Sequence, residues 1–292
     1  MLLVRSPGAS LGLTALLLAI APSMPDAAPR SAGPILIQGA LQMETTQLIG
    51  QLRNGRTEVI GPWTFVRGTV DGYPVVVSRT RMGGVHAAAA TTAAIEHYRP
   101  IAIFNQGTAG GHDPSLRVGD IVLGTHAVGI AAFRTPGSAA GAGSRPLEWK
   151  AVDLMERKGD EDGALHEGEF LRIAADAHLL DVARGAGRDH RPGRVVEGII
   201  GTGEVWNEEV DRVAWLRRTF GTSVEEMETA ASAQIARLYG VPFLGVRVVT
   251  ANVTNGGTYD PVTADVCQNF TMKVVRAYIA DLRRPKGPVG KR

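Results

Sequence analysis

Three glutamates crowd one joint of this chain. The stretch "VEEMETAASAQIARLYGVPFLGVRVVTANVTNGG" (224–257) reads as a strand end, an Ala-rich helix, an apolar strand and a polar loop. Glu225, Glu226 and Glu228 sit where the first strand enters the helix. Carboxylates seldom approach a core without a partner or a task. A fourth, Glu44, follows the apolar run that opens "ILIQGALQMET" (35–45). In "FNQGTAGG" (104–111), Thr108, Ala109 and Gly110 lie in a glycine-rich segment where backbone N–H groups can approach a ligand closely. Trp206 closes "GIIGTGEVW" (198–206). Carboxylates around one ligand suit the recognition of hydroxyl groups and proton transfer with water. The 7 histidines show no paired spacing such as HxxxH, and Cys267 is the single cysteine, so no metal site and no internal disulfide are expected. "GTAGG" is not GxGxxG and has no acid placed to hold a ribose of a dinucleotide, so no nicotinamide cofactor is expected either.

Strands alternating with helices must position these groups. "PILIQGA" (34–40) is an apolar strand, and "LQMETTQLIGQL" (41–52) switches to helical period. "TFVRGTVDGYPVVVSRT" (64–80) is a hairpin with Asp71-Gly72 at its turn. Helices are expected over 83–98, 175–186, 207–220 (with Asn207 as N-cap), 231–239 and 262–284. The helix at 231–239 stops at Gly240, with Pro242 just beyond. Further strands are expected over 101–111, running into a glycine loop, and over 118–124, 194–204 and 242–250. The Gly-, Ser- and charge-rich region 137–169 reads as an irregular excursion or lid. Several strands are apolar on both faces, which requires helices on both sides: an α/β fold with three layers around a mixed, mostly parallel sheet. Ligands in such sheets sit beyond the carboxyl ends of the strands.

Taken together, "GALQMET", "FNQGTAGGHDPSLRVGDIV", "GIIGTGEVW" and "EEMETAASAQIARLYGVPFLGVRVVT" resemble the nucleoside phosphorylase/nucleosidase superfamily. They are most similar to its 5′-methylthioadenosine/S-adenosylhomocysteine nucleosidases, from about Ile35 to Leu282. The resemblance implies a purine nucleosidase that breaks a ribosyl C–N bond through an oxocarbenium-like sugar. It assigns the ribose hydroxyls to Glu228, with Met227 packing on the sugar, and places Glu226 beside the site. It makes Glu44 the base that activates water, with Gln42 standing where the family has another acid. Thr108, Ala109 and Gly110 line the ribose and water, and Trp206 stacks on the purine. Glu225 is expected to be a solvated or helix-start charge. A homodimer is implied by the resemblance alone.

Two departures matter. Phosphorylases of this superfamily use an Arg before the glycine segment, whereas this chain has Asn105 and Gln106, so water is the expected nucleophile. The family also places an Asp after "RAIS" that helps protonate the leaving base; here "RVVT" is followed by Ala251 and then Asn252. With a one-residue shift Asn252 takes that catalytic position, and Asp260 in "NGGTYDP" is a second candidate to fold back. The missing acid leaves a non-catalytic nucleoside-binding or transport-associated protein as an alternative, beside a phosphate-dependent phosphorylase.

Composition bounds the remaining classes. A chain of 292 residues with 44% hydrophobic content can bury one large α/β core. Its 31 basic and 29 acidic residues leave a net charge of +2 without a basic run, and aromatics are only 5%, so no nucleic-acid partner is expected. Arg5 precedes the apolar run "LGLTALLLAIA" (11–21), which is short for a membrane span but suits a signal peptide over 1–30. The reading is an exported, periplasmic or secreted bacterial protein, without stable membrane insertion once cleaved, with one catalytic domain over 31–292.

Overall fold

The computed structural model describes residues 33–155, 161 and 165–284. The expected leader over 1–30 lies outside them, as does part of the 137–169 excursion. The chain opens with β1 (Ile35–Gly39), a 3-10 turn (Gln42–Glu44) and α1 (Thr46–Gly50). β2 (Arg53–Ile60), β3 (Trp63–Val70) and β4 (Tyr73–Arg79) then form a meander. Its second turn is the expected Asp71-Gly72, where φ is 48° and 76°, the left-handed pair that a two-residue hairpin requires. The polar sequence of β2, exposed along most of its length, hides it from a pattern search. Next come α2 (Gly84–Tyr98), β5 (Ala102–Gly111) and β6 (Ile121–Gly129). The excursion holds a small sheet of β7 (Phe133–Arg134), β8 (Lys150–Asp153) and β9 (His166–Glu167). The chain returns through β10 (Ile173–Ala174), α3 (Ala177–Gly187), β11 (Val195–Thr202), α4 (Val210–Phe220), β12 (Thr222–Glu226), α5 (Thr229–Leu238), β13 (Phe243–Ala251) and α6 (Thr263–Leu282).

The main sheet has 10 strands and is mixed, with β1, β4, β5, β6, β11, β12 and β13 sharing parallel pairings. Strand periodicity builds the layers. Ile35, Ile37 and Phe104 face one way, into a core shared with α3 and α6. Leu36 and Ile103 face the other way, among residues of α2 and α5. Cys267 is fully buried in the first of these cores, as expected of a small apolar residue.

One feature exceeds the expected open sheet. β5 pairs with β13, β13 with β6, β6 with β11, β11 with β12, and β12 back with β5. These strands close a ring whose interior is filled by one residue from each: Ala109, Val122, Ile200, Val224 and Val249. The ring explains why "GTAGG" is strand rather than loop. β5 runs unbroken to Gly111, pairing with β13 through Thr108 and Ala109 and with β12 through Gly110 and Gly111. Glycine is needed there for close approach. A Cβ at Gly107 would lie 2.7 Å from the Glu44 carboxylate, and one at Gly111 would lie 2.5 Å from the Asn252 amide.

Candidate active site

β1, β5, β12 and β13 deliver their carboxyl ends to one cavity of about 580 Å³. Glu44, Thr108, Ala109, Gly110, Trp206, Glu226, Met227 and Glu228 all line it. The expected site residues therefore converge, with one exception treated below.

Glu44 is reached from β1 by the tight 3-10 turn. It is buried, and four donors hold its carboxylate: Ala40 N–H and Leu41 N–H on Oε2, at 2.9 and 3.0 Å, and Thr108 N–H and hydroxyl on Oε1, both at 2.9 Å. Gln106 Nε2 donates to the Glu44 carbonyl at 2.6 Å, fixing the backbone as well. The missing Cβ of Gly107 leaves the space that this carboxylate fills. A carboxylate fixed this firmly, with a hydroxyl beside it, faces the cavity as a preorganised hydrogen-bond acceptor, the kind of group that can serve as a general base.

The three glutamates of the 224–228 joint have three different fates. Glu226 is a buried anchor. Its Oε2 lies 2.5 Å from Arg247 Nη2, and the two side chains are only 3% and 2% exposed. The same carboxylate accepts the N–H groups of Glu228 and Thr229 at the start of α5, and the hydroxyls of Thr202 and Thr229. Arg247 completes its own set on the Asn105 carbonyl and side-chain oxygen. The expected substrate-binding role of Glu226 is thus corrected: it borders the cavity, but its oxygens are spent on the protein.

Glu228 occupies the N-cap position of α5, yet makes no capping bond with its side chain. Its Oε1 instead accepts the N–H of Gly83 at 2.8 Å, at the start of α2. Burial first, and the neighbouring Glu226 charge second, push this carboxyl up to about 8, against the pull of the Gly83 N–H. A donor-rich partner is what its ionised form would require. Two ribose hydroxyls are such a partner, since both can donate to the ionised form.

Glu225 is not the solvated charge its position suggested. It is buried, 3.0 Å from His112 Nε2 in an off-axis ion contact, and it accepts both the N–H and the side-chain amide of Asn207, at 3.1 and 2.6 Å. Asn207 is consequently not the N-cap of α4, which begins at Val210 behind Glu209. His112 Nδ1 lies 2.7 Å from the Thr222 hydroxyl. Sequence reasoning missed His112 and Asn207 as partners of Glu225, because only the pairing of β12 with β5 on one side and β11 on the other brings them beside it.

Asn252 is the exception. It does not line the cavity, whereas Ala251 does. Its amide donates to the carbonyls of Asp113 and Leu116, each at 2.9 Å, and its Oδ1 accepts the N–H and hydroxyl of Thr254. All its capacity is consumed in stapling two loops, so the expected catalytic role is corrected to a structural one. Asp260 is likewise engaged elsewhere, accepting the N–H of Val262 at the start of α6. The strand end therefore reads without a shift, and Ala251 stands where the acid was sought. At the mouth, Trp206 is 68% exposed and meets the edge of Tyr259 at 6.4 Å, leaving a ring face free to stack on a flat ligand. Among the described residues lining the cavity are five glutamates and one histidine, and no Lys or Arg. Among the described residues no cluster of His, Cys, Asp and Glu has the form of a metal site.

A ringed α/β sheet with firmly held carboxylates at its strand ends defines the class: residues 34–280 match the family described as the Phosphorylase superfamily, and the chain belongs to it. More particularly, it is 32% identical over 229 residues to a 5′-methylthioadenosine/S-adenosylhomocysteine nucleosidase of Shewanella sp., covering 77% of this chain and 88% of that one. A solved nucleosidase of the same description from Colwellia psychrerythraea, in complex with adenine, superposes with a TM-score of 0.66 at 26% identity, covering 84% of this chain and 96% of that one. Futalosine hydrolase of Helicobacter pylori shares the fold, with a TM-score of 0.64 at 19% identity over 86% of this chain and 98% of that one.

Two outcomes check the site assignments. Asn252→Ala should lower the thermal midpoint, since it strands buried carbonyls at about 1–3 kcal/mol, while turnover changes less than tenfold; a loss of turnover in a protein of native stability would restore the catalytic assignment. For Glu228, the folded carboxyl keeps its proton up to about 8, while the unfolded one loses it near 4.5, so ionising it destabilises the fold increasingly between those values. Glu228→Gln should therefore melt above the native protein at pH 9, and the difference should vanish as the pH falls toward 4.5.

Proposed function

We propose that this protein is a purine nucleosidase of the 5′-methylthioadenosine/S-adenosylhomocysteine type, hydrolysing the N-glycosidic bond to free base and sugar. The observation that carries this reading is the pairing of Glu44, with Thr108 beside it, and Glu228 in one cavity that, among the described residues, no Lys or Arg lines. Glu228 takes the ribose diol and gains its negative charge as it does so. That charge lies close to the developing oxocarbenium ion, which it stabilises more than the neutral ground-state sugar. Water beside the Glu44 carboxylate and the Thr108 hydroxyl bonded to it attacks the anomeric carbon, and Glu44 accepts its proton. The nucleoside lies with its ribose over Gly107–Thr108 and its base toward Trp206.

Phosphate is a poor fit as co-substrate. A dianion would enter a cavity lined by five glutamates with no cationic side chain to receive it. The nucleosidase names of the relatives support the same choice, and the Colwellia enzyme's adenine supports a purine. The protein functions as a homodimer on this reading. Met82, Val205, Trp206 and Tyr259 leave more than half of their surface exposed beside the cavity, apolar area that a second copy would cover while closing the pocket around the 5′ substituent. Export is part of the proposal and is supported by the basic and apolar pattern before residue 30.

The test is chromatographic. The mature protein is incubated with methylthioadenosine, S-adenosylhomocysteine, adenosine, inosine and futalosine, with and without phosphate. Release of free base without phosphate is expected. Release only with phosphate would make it a phosphorylase, and nucleoside binding without release would make it a carrier. Glu44→Gln should lower kcat by about 10²–10⁴-fold with little change in KM, as loss of a general base does.

A further inference from the structure

Breaking a bond from ribose to a purine leaves the electron pair on the base, and at neutral pH the base departs far more readily once protonated. The nucleosidase reading, on which this inference rests, therefore needs an acid on the purine side. Ala251 cannot be that acid. Of the other proton-carrying groups lining the cavity, Glu44 is committed to the water, Glu226 is neutralised by Arg247, Glu228 holds the sugar, and Glu208 and the weakly acidic Tyr259 phenol are exposed at the rim. That leaves Glu225 with His112.

We propose that Glu225, backed by His112, protonates the departing purine, so that the acid comes from β12 rather than from β13. The sheet register makes this exchange possible. Gly110 of β5 pairs with Glu225 on one side and with Ala251 on the other. A bulge between Val249 and Ala251 brings Ala251 level with Gly110, so Glu225 and Ala251 flank Gly110, roughly 10 Å apart at the backbone, and both line the cavity. Gly110 has no side chain to separate them. A Cβ there would lie 3.5 Å from Glu225 Cγ and 3.8 Å from Glu225 Oε1, so the glutamate already leans over the glycine toward the position that Ala251 leaves open.

The surroundings suit a proton donor. Asn207 fixes both carboxyl oxygens of Glu225, while His112 packs against it with Nε2 3.0 Å away, off the hydrogen-bonding axis and closed from solvent. His112 is held in turn by Thr222 through Nδ1. The step balances. The C–N pair moves onto the purine, a ring nitrogen takes the proton from the Glu225 carboxyl, and solvent entering the emptied cavity returns a proton to Glu225. Water adds to the anomeric carbon and its proton passes to Glu44. Glu225 is the catalytic residue; His112 is a positioning residue.

The experiment compares two leaving groups. The native protein and Glu225→Gln are assayed with methylthioadenosine, whose base needs a proton, and with 4-nitrophenyl riboside, whose phenolate leaves without one. The expected result is a loss of at least 100-fold in kcat on the purine nucleoside with less than a threefold change on the nitrophenyl riboside. His112→Gln should show the same selectivity to a smaller degree, with KM unchanged. Adding Ala251→Asp to Glu225→Gln should recover at least tenfold of the lost purine activity, because it returns an acid to the same face. Equal losses on both substrates, or no loss on either, would overturn the assignment and leave Glu225 as a structural partner of Asn207. If the native protein released nitrophenolate but no purine base, the acid assignment would fail while Glu44 and Glu228 stood. If it released neither, the nucleosidase reading itself would fall, and this assignment with it.

Discussion

The buried pair of Glu226 and Arg247 is the constraint on which the site depends. Arg247 is almost entirely enclosed in β13 and could not be held there without an anion. Glu226 supplies it from the end of β12 and at the same time receives the first N–H groups of α5 and the hydroxyl of Thr202 on β11. One carboxylate thereby ties three strands and a helix start together. Losing either member would leave the other charge buried alone, a penalty of about 3–5 kcal/mol. It would also release the joint that aims Met227 and Glu228 at the cavity.

The same pair decides the state of its neighbour. With burial leaving little solvent to share and the Glu226 charge close by, Glu228 cannot easily carry a second charge. On the proposed reading, its proton leaves when ligand hydroxyls replace the missing solvation. The three glutamates crowded into one joint thus perform separate tasks set by their surroundings. Glu226 holds the architecture, Glu228 faces the cavity with its carboxyl raised by burial, and Glu225 lines the same cavity between Asn207 and His112. Glu44 belongs to the opposite wall, where backbone N–H groups from β1 and β5 grip it.

Much of this was legible in the sequence. Doubly apolar runs such as 35–37 and 101–104 required helices on both faces, and Asp71-Gly72 marked its hairpin directly. Glu44, Thr108 and Glu228 lay in distinctive local patterns, and they meet as expected. What local pattern could not show was pairing between distant segments. The ring through β5, β13, β6, β11 and β12 follows from long-range registry, so "GTAGG" looked like a loop and is a strand. Glu225 looked solvated because nothing nearby in sequence marks His112 as its partner, 113 positions away. Asn252 looked catalytic because its position fits a motif, but its amide is turned to the loop at Asp113 and Leu116. The sequence told which residues stood at strand ends, and the folded backbone told which way each one faced.

The most direct test is a titration of the Glu228 carboxyl itself. Carbon-13 NMR of the glutamate-labelled protein, assigned by comparison with Glu228→Gln, follows that carboxyl from pH 4 to pH 10, with and without a ribose-bearing inhibitor. The account predicts a midpoint near 8 in the free protein, and an ionised carboxylate already at pH 7 when the diol is bound. A midpoint in the ordinary carboxylate range, unmoved by the ligand, would contradict it.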